Sequence, residues 1–187
     1  MESPAIHAWG RIYDAKGNYI RALERPDIVS WSIPSFVRKL KVADIDGDGH
    51  TEIIVGMDTN HRQLVVYRAN GNIFWEADVG STVTCLIPAY DRLYAGTEGG
   101  WIHCFDSGGR KLWNQSMHRP IRGLAPFSVD HTIAALDDGN ICVIDQATFS
   151  YLGASITSTK STAYWPGHGL LVGADNSNQI ALVREIN

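Results

Sequence analysis

The most specific chemistry in this 187-residue chain lies between positions 44 and 52. Asp44, Asp46, Asp48 and Glu52 stand at loop positions 1, 3, 5 and 9, and His50 offers a backbone carbonyl at position 7. Hard oxygens at such alternating positions converge on one point, and calcium takes about six to eight of them. Gly49, at position 6, permits the tight turn that folds the loop round an ion. An EF-hand would need Glu at position 12, where Val55 stands, and flanking helices, where Leu40-Lys41-Val42-Ala43 and Ile53-Ile54-Val55 read as strands. The expectation is a strand-loop-strand calcium site with Asp44, Asp46, Asp48, His50 and Glu52 as ligands and a structural ion. The competing reading is an ordinary acidic turn, in which Asp-Gly supplies only backbone geometry.

Other catalytic patterns are thinner. The seven histidines, at 7, 50, 61, 103, 118, 131 and 168, include no HxH or HExxH pair, so no zinc site is signalled. Ser81, Ser116, Ser155 and Ser158 lie in no G-x-S-x-G elbow, so a hydrolase nucleophile is not signalled either. Cys85, Cys104 and Cys142 form no CxxC motif and read as small core residues. A formal charge of −4, from 16 basic and 20 acidic residues without a Lys/Arg cluster, argues against a nucleic-acid partner. No apolar run approaches the roughly 20 residues that span a bilayer, so a soluble chain without a membrane partner is expected. The compartment is left open.

The elements that must position these residues come in repeats. The apolar runs closing at Gly56, Gly96, Leu136 and Gly173 recur at intervals of 40, 40 and 37, and Tyr67, Phe105, Ile144 and Val183 recur at 38, 39 and 39. Each unit holds runs of three to six Val, Ile, Leu and aromatic residues separated by turn dipeptides such as Asn70-Gly71, Gly108-Gly109 and Asp138-Gly139. Such units are four short antiparallel strands joined by hairpins. The reading is one all-β domain over 1–187, a β-propeller of about four blades. Its repeats fall at approximately 37–80, 81–118, 119–157 and 158–187, with N-terminal strands within 9–23 completing the last blade. The ring closes within one chain, or two copies form a homodimer with eight blades, or the chain is part of a longer propeller.

The stretch Ala95-GTEGGWIHCFDSGGRKLWN resembles the quinoprotein-type repeat associated with pyrroloquinoline-quinone (PQQ) enzymes. The stretch Val42-ADIDGDGHTEIIVG resembles the calcium loop of the integrin-type, or FG-GAP, propeller repeat. Both resemblances imply a propeller, and the second implies calcium in the aspartate loop. Glu52 departs from that pattern, in which Asp is commoner. PQQ itself is not expected, because this chain lacks the adjacent cysteine pair of that enzyme class.

Trp75 and Trp113, with Tyr151 in the third place, repeat on the outermost strand and are expected to pack between blades. Trp31 lies in a connection longer than its counterparts, and Trp165 precedes Pro166 near the expected central channel. With Arg119 and Arg122, and with Asp137, Asp138 and Asn140 nearby, they are the candidate ligand-binding residues for a protein or glycan. The preferred function is a non-catalytic binding module with a structural calcium ion. The alternative is a carbohydrate-active enzyme, a lyase or hydrolase, using His118, Arg119 and Arg122.

Overall fold

The computed structural model describes residues 11–13, 19–22, 36–58, 63–145, 148–154, 158–159, 161–165, 169–173 and 180–183. The chain divides into two units, 1–32 and 33–187. In the first, β1 (Arg11–Tyr13) and β2 (Tyr19–Ala22) form an antiparallel pair of their own.

The second unit is a series of antiparallel meanders. The first sheet runs β3 (Phe36–Ala43), β4 (Glu52–Asp58), β5 (Leu64–Tyr67) and β6 (Ile73–Ala77). The second runs β7 (Val83–Ala89), β8 (Arg92–Thr97), β9 (Trp101–Asp106) and β10 (Lys111–Ser116). The third runs β11 (Ile121–Pro126), β12 (His131–Leu136), β13 (Asn140–Asp145) and β14 (Thr148–Ala154). A three-stranded sheet follows, β15 (Ser161–Trp165), β16 (Gly169–Gly173) and β17 (Ile180–Val183). There is no helix among the described residues, and strands pair in chain order, as in the blades of a propeller.

The repeat is visible in local irregularities as well as in strand order. The first strand of each four-stranded sheet shifts register near its start, between Val37 and Lys39, Val83 and Cys85, and Ile121 and Gly123. Such a bulge increases local twist.

The middle strands bury both faces, which is why their sequences are continuous apolar runs rather than alternating ones. Leu93 and Ala95 of β8 pack with Ile54, Leu64, Val66, Trp75 and Phe105 in the cluster shared by the first and second sheets. Tyr94, the residue between them, belongs to the cluster with Ile121, Leu124, Ala134 and Ile144 that joins the second sheet to the third. Trp75 is buried, and its Nε1 donates to the carbonyl of Ser107, 2.9 Å away in the second sheet. Trp113 sits edge-on to Tyr94, with ring centroids 6.1 Å apart. Tyr151 differs: it is exposed, and its ring meets Phe149 edge to face at 5.4 Å. The three cysteines are buried and unpaired, as expected of core residues.

Two glycines set how close the sheets come. A Cβ on Gly109, whose φ is +85°, would lie 2.6 Å from the indole of Trp75. A Cβ on Gly96 would strike the sulfur of Cys85 and lie 2.7 Å from Cγ2 of Ile121.

Candidate functional site

The aspartate loop connects β3 to β4, as the sequence predicts, and its backbone is organised by its own carboxylates. Asp44 Oδ1 accepts from Gly47 N at 2.8 Å and Asp44 Oδ2 from Gly49 N at 2.9 Å. Asp48 Oδ1 accepts from His50 N at 2.8 Å. Gly49 sits at φ +86°, in the left-handed region where an L side chain would be strained. One carboxylate oxygen from each of Asp44, Asp46 and Asp48 lies within 4.8 Å of the others. Two calcium–oxygen bonds of about 2.4 Å span that distance, so the three groups fit round one ion.

A cation of the chain's own already touches this cluster. Arg68, just beyond β5, reaches Asp46 at 2.8 Å, Asp48 at 3.2 Å and Glu52 at 2.8 Å. Its guanidinium carbon lies 3.6 Å from the centre of the Phe74 ring, an arrangement that favours the cation. Hydrogen bonding to Arg68 holds the Asp46 carboxyl below the usual carboxylate range, against an opposing effect of burial, and the Arg68 pKa is raised in return. Glu52 is fully buried, with one carboxylate oxygen on Arg68 and the other accepting from Ile45 N at 3.0 Å. His50 is exposed and contributes backbone to the turn.

A second constellation lies at the other end of β3. Arg38 and Lys39 of β3, Thr84 of β7 and Arg122 of β11 line a cleft of about 560 Å³ together with Asp58, which ends β4, and Glu98, just beyond β8. Arg38 Nη2 reaches Asp58 Oδ2 at 2.6 Å, and Thr82 Oγ1 donates to Asp58 Oδ1 at 2.8 Å. Arg38, then Thr82, hold the Asp58 carboxyl below its ordinary value. Arg122 forms a two-pronged bridge to Glu98, at 2.8 and 3.2 Å. Thr84 Oγ1 lies 2.6 Å from the carbonyl of Ile121, tying the first strands of two neighbouring sheets.

Of the described ligand-binding residues expected from sequence, only Arg122 lines this cleft. Arg119 is exposed and pairs with Asp138 at 3.5 Å. Trp165 ends β15 opposite Gly169, and Trp31 lies outside the described residues. His118 is exposed at φ +55°, with Nδ1 3.4 Å from Ser116 Oγ. Sequence reading missed Arg68, Arg38, Lys39, Asp58 and Glu98. One signal was present: Asp58, Glu98 and Asp138 stand 40 residues apart, in step with the repeat, and each meets an arginine.

Comparison with known proteins gives the fold and nothing finer. No family model matches the chain, and no curated protein matches it. Among solved structures, the computationally designed Ika4 protein superposes with a TM-score of 0.67 at 16% identity, over 87% of this chain and 99% of that one. BBS1N, in a crystal structure with ARL6DN, superposes with a TM-score of 0.58 at 16% identity, over 87% of this chain and 54% of that one. The designed Ika8 protein gives 0.61 at 16% identity, over 92% of this chain and 52% of that one. The likeness is one of fold. The chain spans about half the length of the BBS1N and Ika8 chains.

Proposed function

We propose that the chain is a non-catalytic propeller-type binding module for a protein or glycan ligand, with a structural calcium ion in the Asp44–Glu52 loop. In this reading that unit is of the FG-GAP kind, and the quinoprotein-like repeats serve as scaffold without PQQ. The observation that carries the metal assignment is the approach of the Asp44, Asp46 and Asp48 oxygens to within 4.8 Å of one another in a loop already folded by its own hydrogen bonds. Bound there, calcium would neutralise clustered carboxylates and hold the connection between β3 and β4. Glu52 and Asp46 are shared with Arg68, so calcium binding and the arginine bridge compete for the same oxygens.

The test is a calcium titration of the whole chain by calorimetry, with melting curves in calcium and in chelator. Calcium is expected to raise the melting temperature of the native chain, and Asp46→Asn to remove both the heat of binding and the shift. No heat, with superimposable melting curves, would reduce the loop to an acidic turn closed by Arg68.

A further inference from the structure

The β3 edge of the first sheet gathers exposed apolar and basic side chains on one strand. Among the described residues β3 is a terminal strand of its sheet and pairs with β4 alone. Its residues from Phe36 to Val42 are all exposed, including large apolar ones: Phe36 at 79%, Leu40 at 56% and Val42 at 60%. Between them stand Arg38, Lys39 and Lys41. A strand edge with exposed apolar side chains is a ready template for another strand.

Charge decides which strand. Arg38 is bridged to Asp58, but Lys39 and Lys41 have no carboxylate partner among the described residues. The two carboxylates of the adjoining cleft are already engaged, Asp58 by Arg38 and Thr82 and Glu98 by Arg122, so among the described residues the cleft beside Lys39 carries surplus positive charge. A second copy approaching through its own β3 would set lysine against lysine, which is unfavourable across a strand pair. An acidic segment meets the opposite situation at Lys39 and Lys41.

We infer that the free edge of β3 receives an extended peptide of alternating acidic and apolar residues, which adds a strand to the first sheet and sets a carboxylate beside Lys39 at the mouth of the cleft. The inference rests on the binding-module reading and narrows its ligand to polypeptide. Main-chain hydrogen bonds give such an added strand its affinity, and the alternating side chains its choice of partner. Apolar residues of the peptide cover Leu40 and Val42, and its acids face Lys39 and Lys41.

The experiment uses the whole chain and a fluorescent eight-residue peptide of alternating valine and glutamate, with the valine-lysine counterpart and an acidic peptide N-methylated at alternate residues as controls. Anisotropy is expected to show binding of the first alone, weakened by salt and by on the order of ten-fold or more in Lys39→Glu/Lys41→Glu. Those β3 amides that point away from β4 are expected to exchange fast in the free chain and to slow with the acidic peptide. Equal binding of both charges, indifference to N-methylation, or full affinity in the double variant would each overturn the inference. So would slow exchange in the free chain at the β3 amides that point away from β4, which would show the edge already covered by the chain's own residues or by a second copy. A glycan or protein that binds equally to the native chain and the double variant would leave the module reading standing and this one refuted.

Discussion

Lowering the pH from 7 to 5 should destabilise this protein through one buried imidazole. His103 of β9 is 4% exposed, lies between the rings of Trp101 and Phe105 at 6.3 and 6.1 Å, and has no hydrogen bond to either ring nitrogen. Burial first, and then the ammonium of Lys111, push its pKa down from 6.5 to about 4; the Val79 backbone favours the charged ring weakly from outside hydrogen-bond geometry. In the unfolded chain the same group titrates near its ordinary value of about 6.5. Between these two values the unfolded state binds a proton that the folded state refuses, so stability is fully present above the higher pKa and falls as pH drops toward the lower. The loss works out at about 2 kcal/mol by pH 5 and about 3 kcal/mol by pH 4. Urea unfolding of the native chain and of His103→Phe, each at pH 7 and pH 5, isolates this contribution, since other titrating groups cancel in the difference. The native chain should lose about 2 kcal/mol more than the variant. Equal losses would mean that His103 charges freely in the folded state, and that the site between Trp101 and Phe105 is wetter than the structure has it.

Gly96→Ala should cost about 1–3 kcal/mol in urea unfolding, because its Cβ would press on Cys85 and Ile121 where the second and third sheets meet. Thr84→Val should cost about 1 kcal/mol by the same measurement, by removing the hydroxyl that reaches the Ile121 carbonyl. The thiols of Cys85, Cys104 and Cys142, each pushed up to about 11 chiefly by burial, should resist a thiol reagent at neutral pH and react together once the chain is unfolded. Arg68→Ala should speed amide exchange at Leu40–Ala43 more than in β8, and calcium should reverse the effect.

The repeat was legible because period, turn dipeptides and apolar runs all report the same unit. Gly56, Gly96 and Leu136 do fall on the second strand of successive sheets, β4, β8 and β12. The aspartate loop was legible because its carboxylates are near neighbours in sequence. Arg68 was not: it lies 16 residues beyond Glu52 and reaches the loop only through the pairing of β4 with β5. The cleft was hidden for a stronger form of the same reason. Its charges come from three sheets, between Arg38 and Arg122, and each looks like a solvated surface residue until the first strands are set side by side. Trp75 and Trp113 were readable as packing residues by their spacing. Tyr151 shares that spacing, but the spacing could not tell that its own side chain is exposed.

β3 joins the two charged regions into one mechanical problem. At its start Arg38 is fastened to Asp58, and at its end the chain runs into the loop that Arg68 holds through Asp46, Asp48 and Glu52. Between these ends the strand keeps one row of hydrogen bonds, to β4, and its side chains from Phe36 to Val42 are exposed. A strand so situated gains little from burial, so its order rests on the ladder to β4 and on how firmly the loop holds its end. Calcium in the aspartate loop would replace one such fastening by another, and with the arginine intact the exchange should change β3 little. Removing the arginine leaves Glu52 buried with Ile45 N as its remaining partner among those described, and calcium bound in the loop would then order that end in the arginine's place. The dependence of β3 on calcium should therefore be weak in the native chain and strong in Arg68→Ala, which ties the availability of the peptide-binding edge to the cation in the loop.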